Sequence, residues 1–219
     1  MFLNIEKQTF GQWKETLTSF LVAVFCFFMV YYFPADDYLQ NITRNAFFLL
    51  VIPGLYVKLV LQKNIRDFGV NWENKKIGLW WGGIMFLFLV ILFFLIIRYT
   101  GFEKIYTLPV FAQINFWYFL LYELVLVNLL FLAQEIFFKG FLLAALREKL
   151  GYWSIFIQST VFLFPLFIYN SYFFETLPMV VISLLGGLTA YKSRTFFFSY
   201  LPSFVFLITL DTYIIFLTK

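Results

Sequence analysis

The stretch Ala133 to Gly140, AQEIFFKG, sets an amide, an acid and a base inside one of the most apolar runs of the chain. These are Gln134, Glu135 and Lys139. Glu135 and Lys139 are spaced i, i+4 in the acid-first order that favours an ion pair along one helix face. A carboxylate can act as a general base, whereas a carboxamide hydrogen-bonds water but has no useful basicity. The triplet therefore offers two chemistries. In one, Glu135 activates a water, against the influence of Lys139 one turn away. In the other, the acid and base neutralise each other, and the amide helps structure a polar interior without reaction.

Further polar groups lie at depth. An ionisable side chain in the membrane costs at least about 2.5–3.5 kcal/mol on insertion scales, so it turns toward the bundle interior or a wet cavity. Glu123 and Asp211 belong to this class, and Asn128 joins them as a neutral cavity-lining residue. Glu123 precedes Gln134 by close to three helical turns, so both can face one cleft. The plainer reading of Glu123 is a carboxyl protonated or hydrogen-bonded between helices. Asp211 either pairs with Lys139 across the bundle or sits near the outer interface. Gln158, Ser159 and Thr160 read as hydrogen-bonding groups between helices, and Gly186-Gly187 as small residues that allow close helix approach.

What is missing narrows the chemistry. The chain has no histidine and one cysteine, Cys26. Histidine-ligated zinc, Ser-His catalysis and histidine-held haem are excluded, and a disulfide within the chain is impossible. Scattered oxygen ligands suit a hard cation weakly at best. No metal site and no cofactor are expected.

The elements that must position these residues follow from composition. Of the 219 residues, 63% are hydrophobic and 13% charged. Soluble domains use roughly 45–50% apolar and about 25% charged residues, so the bilayer is the expected solvent. A span needs about 20 apolar residues. Seven candidates result: Thr18 to Phe33, Ala46 to Leu61, Ile77 to Ile97, Ile114 through Leu132 to Lys139, Ser154 to Tyr169, Thr176 to Tyr191 and Phe196 to Leu217. Pro53-Gly54 is an expected kink in the second. The run from Ile114 to Leu150 would exceed about 50 Å as one helix at 1.5 Å per residue. Gly140 is the expected break, with Phe141 to Leu150 as a second helix along the interface and a buried eighth helix as the alternative. The fold class is thus an all-α, polytopic transmembrane bundle of seven or eight helices. Residues 1–17 form an N-terminal interfacial segment in which Phe2, Ile5, Phe10 and Trp13 can share one side, with an ordered lead into the first span as the other reading. They carry charges of both signs and no small-residue cleavage site, so a cleaved leader is not expected. Residues 18–219 form the helical domain.

The modest net charge of +4 is topological, and no nucleic-acid partner is expected. With the N-terminus inside, cytoplasmic segments collect Lys7, Lys14, Lys58, Lys63, Arg66, Lys75, Lys76, Arg147, Lys149, Lys192 and Arg194. Outer segments hold Arg44, Arg98, Lys104 and Lys219. This is a positive-inside bias that repeats loop by loop.

AQEIFFKGFLLAALREKLG resembles the first motif of the CPBP family of intramembrane proteases, which contains type II CAAX prenyl proteases and Abi proteins linked to bacteriocin immunity. The family frame Glu-Glu-x-x-x-Arg reads here Gln134-Glu135-x-x-x-Lys139. YWSIFIQSTVFLFPLFIYN is similar to the helix that ends in Phe-x-x-x-His, and LLGGLTAYKSRTFFFSYLPSFVFLITLD to the last pair of family helices. The likeness covers about 114–219. It implies a first glutamate that activates water together with a histidine, and a further histidine with Asn or Asp at the oxyanion. In this frame Gln134 replaces the base and Lys139 the arginine. Phe164 and Ile168 take the Phe and His positions. Phe206 and Leu210 take the last two, with Asp211 one residue out of register. Losing one oxyanion donor alone costs about 2.7–4 kcal/mol in well-studied sites. The implied fold survives; the implied reaction loses its base and its histidines.

The expectation is an integral membrane protein, CPBP-like and catalytically inactive. It would bind a membrane protein or peptide in the former substrate cleft, in bacteriocin immunity or scaffolding, in a bacterial plasma membrane and in contact with its lipid. An endopeptidase using Glu135 and a small transporter or channel lined by Glu123, Gln134 and Asp211 are the alternatives. The bundle should hold Gln134, Glu135 and Lys139 on a cavity open to the cytoplasmic side, walled by the fifth and seventh spans.

Overall fold

A computed structural model describes residues 2–72, 74–102, 106, 108–169 and 173–218. Lys104 and Lys219 lie outside the described residues, as do the side chains of Phe2, Ile5, Phe10 and Ile168. Among the described residues the chain is helical throughout, with no strand: α1 (Phe2–Tyr32), α2 (Tyr38–Val60), α3 (Lys75–Thr100), α4 (Val110–Ile114), α5 (Phe116–Leu150), α6 (Trp153–Tyr169), α7 (Phe173–Ser193) and α8 (Phe197–Thr218). A 3₁₀ turn, Ile65–Phe68, follows α2.

Five helices are long and apolar enough to cross a membrane: Trp13–Tyr32, Tyr38–Val60, Lys75–Thr100, Phe116–Leu150 and Phe197–Leu217. Trp153–Phe167 is apolar but shorter. Large apolar side chains cover the outside, and exposed aromatics gather at helix ends. Trp72, Trp80 and Trp153 mark one end of the bundle, and Tyr32, Tyr99 and Trp117 the other. This is the girdle pattern of an integral membrane protein, in which amphipathic rings settle at the headgroups.

Three helices bear on these expectations. The N-terminal residues continue into the first span as one helix, α1, unbroken from Phe2 to Tyr32. In α2, Pro53 cannot donate a backbone hydrogen bond. The helix passes it with π-helical stretches on either side, Phe47–Val51 and Tyr56–Val60. Nor does α5 break at Gly140. It is one helical run of 35 residues, with the π-helical stretches Tyr122–Val127 and Ile136–Leu142 inside it. Gly140 serves contact instead. A Cβ there would stand 3.0 Å from the Phe68 carbonyl, and a Cβ on Gly69 would stand 3.2 Å from Gly140 Cα. The absent side chain lets the turn after α2 seat directly on α5, with Gly69 at φ +79.

Helix α5 is central, touching α1, α2, α6, α7 and α8. Its Phe137, Phe138, Phe141 and Leu142 join a core with α1, α2 and Phe68. Its Phe131 joins a second core made largely by α3, α7 and α8. Lipid tails are as apolar as leucine, so this assembly rests on close packing and interhelical hydrogen bonds. That is why the polar residues of α5 face inward.

The basic residues gather accordingly. Asn71 donates to the carbonyls of Arg66 and Arg194, and Asn74 to that of Ser193, closing one end of the bundle. Lys63 pairs with Glu15 at that same end, and Arg147 lies in the field of Arg194.

Candidate functional site

Glu135 ends the α-helical stretch Asn128–Glu135 of α5 and Lys139 sits in the π-helical stretch that follows. Both are buried, at 4% and 5% exposure. Lys139 Nζ donates to Glu135 Oε1, to Ser199 Oγ on α8 at 2.9 Å and to the Ile182 carbonyl on α7 at 3.2 Å. An ammonium has three donors, and all three are used. Ser199 Oγ in turn donates to Glu135 Oε2 at 3.1 Å. Each carboxylate oxygen therefore has a partner as well. Three helices meet at one polar knot.

A glycine makes room for it. A Cβ on Gly186 would overlap Lys139 Nζ and Ser199 Oγ. A Cβ on Gly187 would stand 2.7 Å from Gln158 Nε2. The glycine pair thus clears space for polar side chains from neighbouring helices, beyond the close helix approach read from sequence. Gln158 Nε2 donates to the Ser183 carbonyl at 3.1 Å and to Ser159 Oγ at 2.7 Å, bonding α6 to α7. Thr160 bonds only within its own helix, to the Phe156 carbonyl.

The expected open cavity is not present at this place. Next to the knot is a hollow of ≈ 10 Å³, bordered by Gln134, Glu135, Lys139, Gln158 and Ser183 among others. That is room for about one water molecule. Its walls come from α5, α6 and α7; α8 contributes the Ser199 bond but no lining residue. Phe131, Phe138 and Phe162 line most of the rest of it. Gln134 is half-buried at this hollow.

Glu123, Asn128 and Asp211 do not share the hollow with Gln134. Asn128 accepts a hydrogen bond from the Tyr200 hydroxyl. Asp211 does not reach Lys139. Its Oδ1 accepts from the Tyr106 hydroxyl at 2.8 Å, and Glu123 lies within side-chain hydrogen-bonding reach of it. Tyr106 belongs to the connection between α3 and α4, outside the spans. Burial first, then the Asp211 carboxyl, push its phenol well above the usual value and hold it as a donor. Among the described residues no group of three or more His, Cys, Asp or Glu is placed to hold a metal ion.

The remaining positions carried over from the family frame are apolar. Phe206 and Leu210 are buried in the core of α3, α7 and α8, where Phe206 meets Phe93 at 5.1 Å between ring centroids. Phe164 is exposed on the outside, in a groove between α1 and α6.

Ser199, the Ile182 carbonyl and Tyr106 were not singled out from sequence. Ser199 stands three residues before Pro202 with no motif around it, and a carbonyl leaves no mark in sequence at all. Comparison with protein-family models, curated proteins and solved structures finds no match.

Proposed function

We propose that this integral membrane protein is a catalytically silent relative of the CPBP intramembrane proteases that works by binding a membrane protein or peptide, in an immunity or scaffolding role. One observation carries the reading. The acid that a hydrolytic mechanism would need, Glu135, is tied into an ion pair with Lys139 and a hydrogen bond from Ser199, beside space for a single water. A general base must be free to take a proton from the water it activates, and the ion pair with Lys139 opposes that. The Gln134 carboxamide can accept a hydrogen bond but has no useful basicity in its place. Phe206 and Leu210 supply no oxyanion donor where the family frame would put one.

The binding part of the reading rests on a different surface from the one expected. An apolar groove of ≈ 430 Å³ runs between α1 and α6, lined by Val24, Phe28, Tyr31, Val161, Phe164 and Pro165 among others. It opens on the lipid-facing side, where an acyl chain or a transmembrane segment of a partner would lie. The basic end of the bundle, with Lys63, Arg66, Arg147 and Arg194, is assigned to the cytoplasm of a bacterial plasma membrane, with the N-terminus on that side.

The test is cleavage of prenylated and transmembrane reporter peptides by the purified protein in liposomes. The expected result is no product above protein-free liposomes, in the wild type and in Glu135→Ala alike. Product that forms with the wild type and disappears in Glu135→Ala would establish the endopeptidase reading in its place.

A further inference from the structure

The end of the bundle marked by Trp72 and Trp153 brings together two arginines from distant parts of the chain. Arg147 lies in the last turn of α5, and Arg194 lies in the tight connection between α7 and α8. Arg147 is half-buried and Arg194 is exposed. Arg147 lies in the field of Arg194, whose charge acts on it more strongly than that of its neighbour Glu148. Among the described residues the ion pairs are Lys63–Glu15 and Lys139–Glu135, so neither guanidinium has a carboxylate partner. Nor does either donate a side-chain hydrogen bond among the described residues. Arg44 at the opposite end is the contrast, since its guanidinium donates to the Phe33 carbonyl and to Asn41 Oδ1.

The backbone holds Arg194 against its preference. Its φ is +59, in the left-handed region that favours glycine. Helices commonly end on a glycine in this conformation. Here an arginine stands directly after Ser193, the last residue of α7. The turn is braced from outside by Asn71, which donates to the Arg194 carbonyl, and by Asn74, which donates to that of Ser193. A glycine would close this turn without strain, so the arginine side chain points to a use outside the fold.

Depth says what that use is. Exposed Trp72 stacks on Phe197, three residues beyond Arg194, and exposed Trp153 stands six residues beyond Arg147. Indole rings settle at the headgroups of a bilayer, so both guanidinia sit at the level of the lipid phosphates. A guanidinium takes phosphate oxygens through paired N–H groups. Basic clusters at the ends of membrane helices attract anionic headgroups. Lys192 adds a third positive charge, held over the rings of Tyr152 and Trp81. Of the acids here, Glu15 is paired with Lys63, Asp67 and Glu148 are exposed, and Glu73 lies outside the described residues.

We propose that Arg147 and Arg194, flanked by Lys192, bind the phosphate of an anionic phospholipid headgroup. The bound phosphate offsets the repulsion between the two guanidinia and fastens the end of α5 to the α7–α8 connection. The site is separate from the Glu135 knot and stands whether or not that knot is catalytically silent.

Thermal unfolding of the purified full-length protein in nonionic detergent tests this, with phosphatidylglycerol, phosphatidylcholine or sodium phosphate added stepwise at fixed pH and ionic strength. A ligand that binds only the folded state raises its stability in a saturable way. The expected result is a saturable rise in midpoint with phosphatidylglycerol that phosphatidylcholine does not match. Half-saturation should move to several-fold higher lipid in Arg147→Gln and in Arg194→Gly. It should stay in place in Lys58→Gln, which removes an exposed charge from the last turn of α2. Without lipid, Arg194→Gly should unfold no lower than the wild type, because the left-handed backbone is relieved. An equal rise with phosphatidylcholine overturns the proposal, as does an equal shift in Lys58→Gln, which would reduce the effect to net charge. A rise reproduced in full by sodium phosphate makes the ligand a free anion and overturns the lipid assignment. An Arg194→Gly protein that unfolds well below the wild type without lipid makes Arg194 a structural residue and overturns it too.

Discussion

Lys139 Nζ and Ser199 Oγ lie 2.9 Å apart although 60 positions separate them in the chain, and this contact ties the central helix α5 to α8. It makes Ser199 the residue that completes the knot, since the same hydroxyl donates onward to Glu135. Ser199→Ala removes both bonds and leaves a lysine N–H and a carboxylate oxygen unpaired in the interior. The expected loss is about 1–3 kcal/mol of stability. Ser203, equally buried, donates only to the Ser199 carbonyl within its own helix. Ser203→Ala should cost no more than about 1 kcal/mol. Unfolding of the two variants side by side in detergent checks the contrast.

Gly186 is a second place where the knot sets a limit. Gly186→Ala drives a methyl group into Lys139 and Ser199 and should cost about 1–3 kcal/mol as overpacking. Gly83 on α3 is an internal control, because a Cβ there meets nothing within 4 Å. Gly83→Ala should stabilise by roughly 0.5–1 kcal/mol through helix propensity. Opposite signs for two Gly→Ala changes, read as unfolding midpoints, are the expected outcome.

Gln134→Glu rebuilds the acid pair of the family frame. It should produce no cleavage of reporter peptides in liposomes, because the histidines are missing and the adjoining hollow stays at ≈ 10 Å³. Gain of activity from this single change would place water activation at position 134.

Topology has its own readout. Cys26 is buried and is the only cysteine, so introduced cysteines can be labelled against a quiet background. In intact cells a membrane-impermeant maleimide should react with Leu39→Cys and Tyr99→Cys and spare Arg66→Cys and Arg194→Cys until the cells are opened. The reverse pattern would invert the proposed orientation.

The parts of this site that were legible in sequence are those carried by local spacing. Glu135 and Lys139 sit one turn apart in an apolar run, and the ion pair they form needs nothing from elsewhere in the chain. Most of each expected span falls in a helix for the same reason, since long apolar runs declare themselves, although the fourth starts in α4 and passes non-helical Asn115, and five of the helices are long and apolar enough to cross a membrane. Partners from distant segments were hidden. Asp211 was readable as a deep acid, yet whether it would meet Lys139 or Glu123 depends on how α8 is rotated against α5, and no spacing records that. Gly140 looked like a break because a flexible residue in an overlong helix invites one. Its actual use, seating the Phe68–Gly69 turn, is a tertiary contact. The open cleft was inferred from a likeness of motif, but cavity volume depends on which aromatic rings fill it, here Phe131, Phe138 and Phe162.

The most direct measurement of the central claim, that Glu135 and Lys139 are a structural pair, is a double-mutant cycle on unfolding free energy. Either Glu135→Leu or Lys139→Met alone leaves an uncompensated buried charge and should cost about 3–5 kcal/mol. The combined variant removes both charges and should return to within about 1 kcal/mol of the wild type, since well-packed apolar replacements of buried pairs are often neutral. Single variants close to wild type, or a double variant as unstable as the sum of the two, would contradict it.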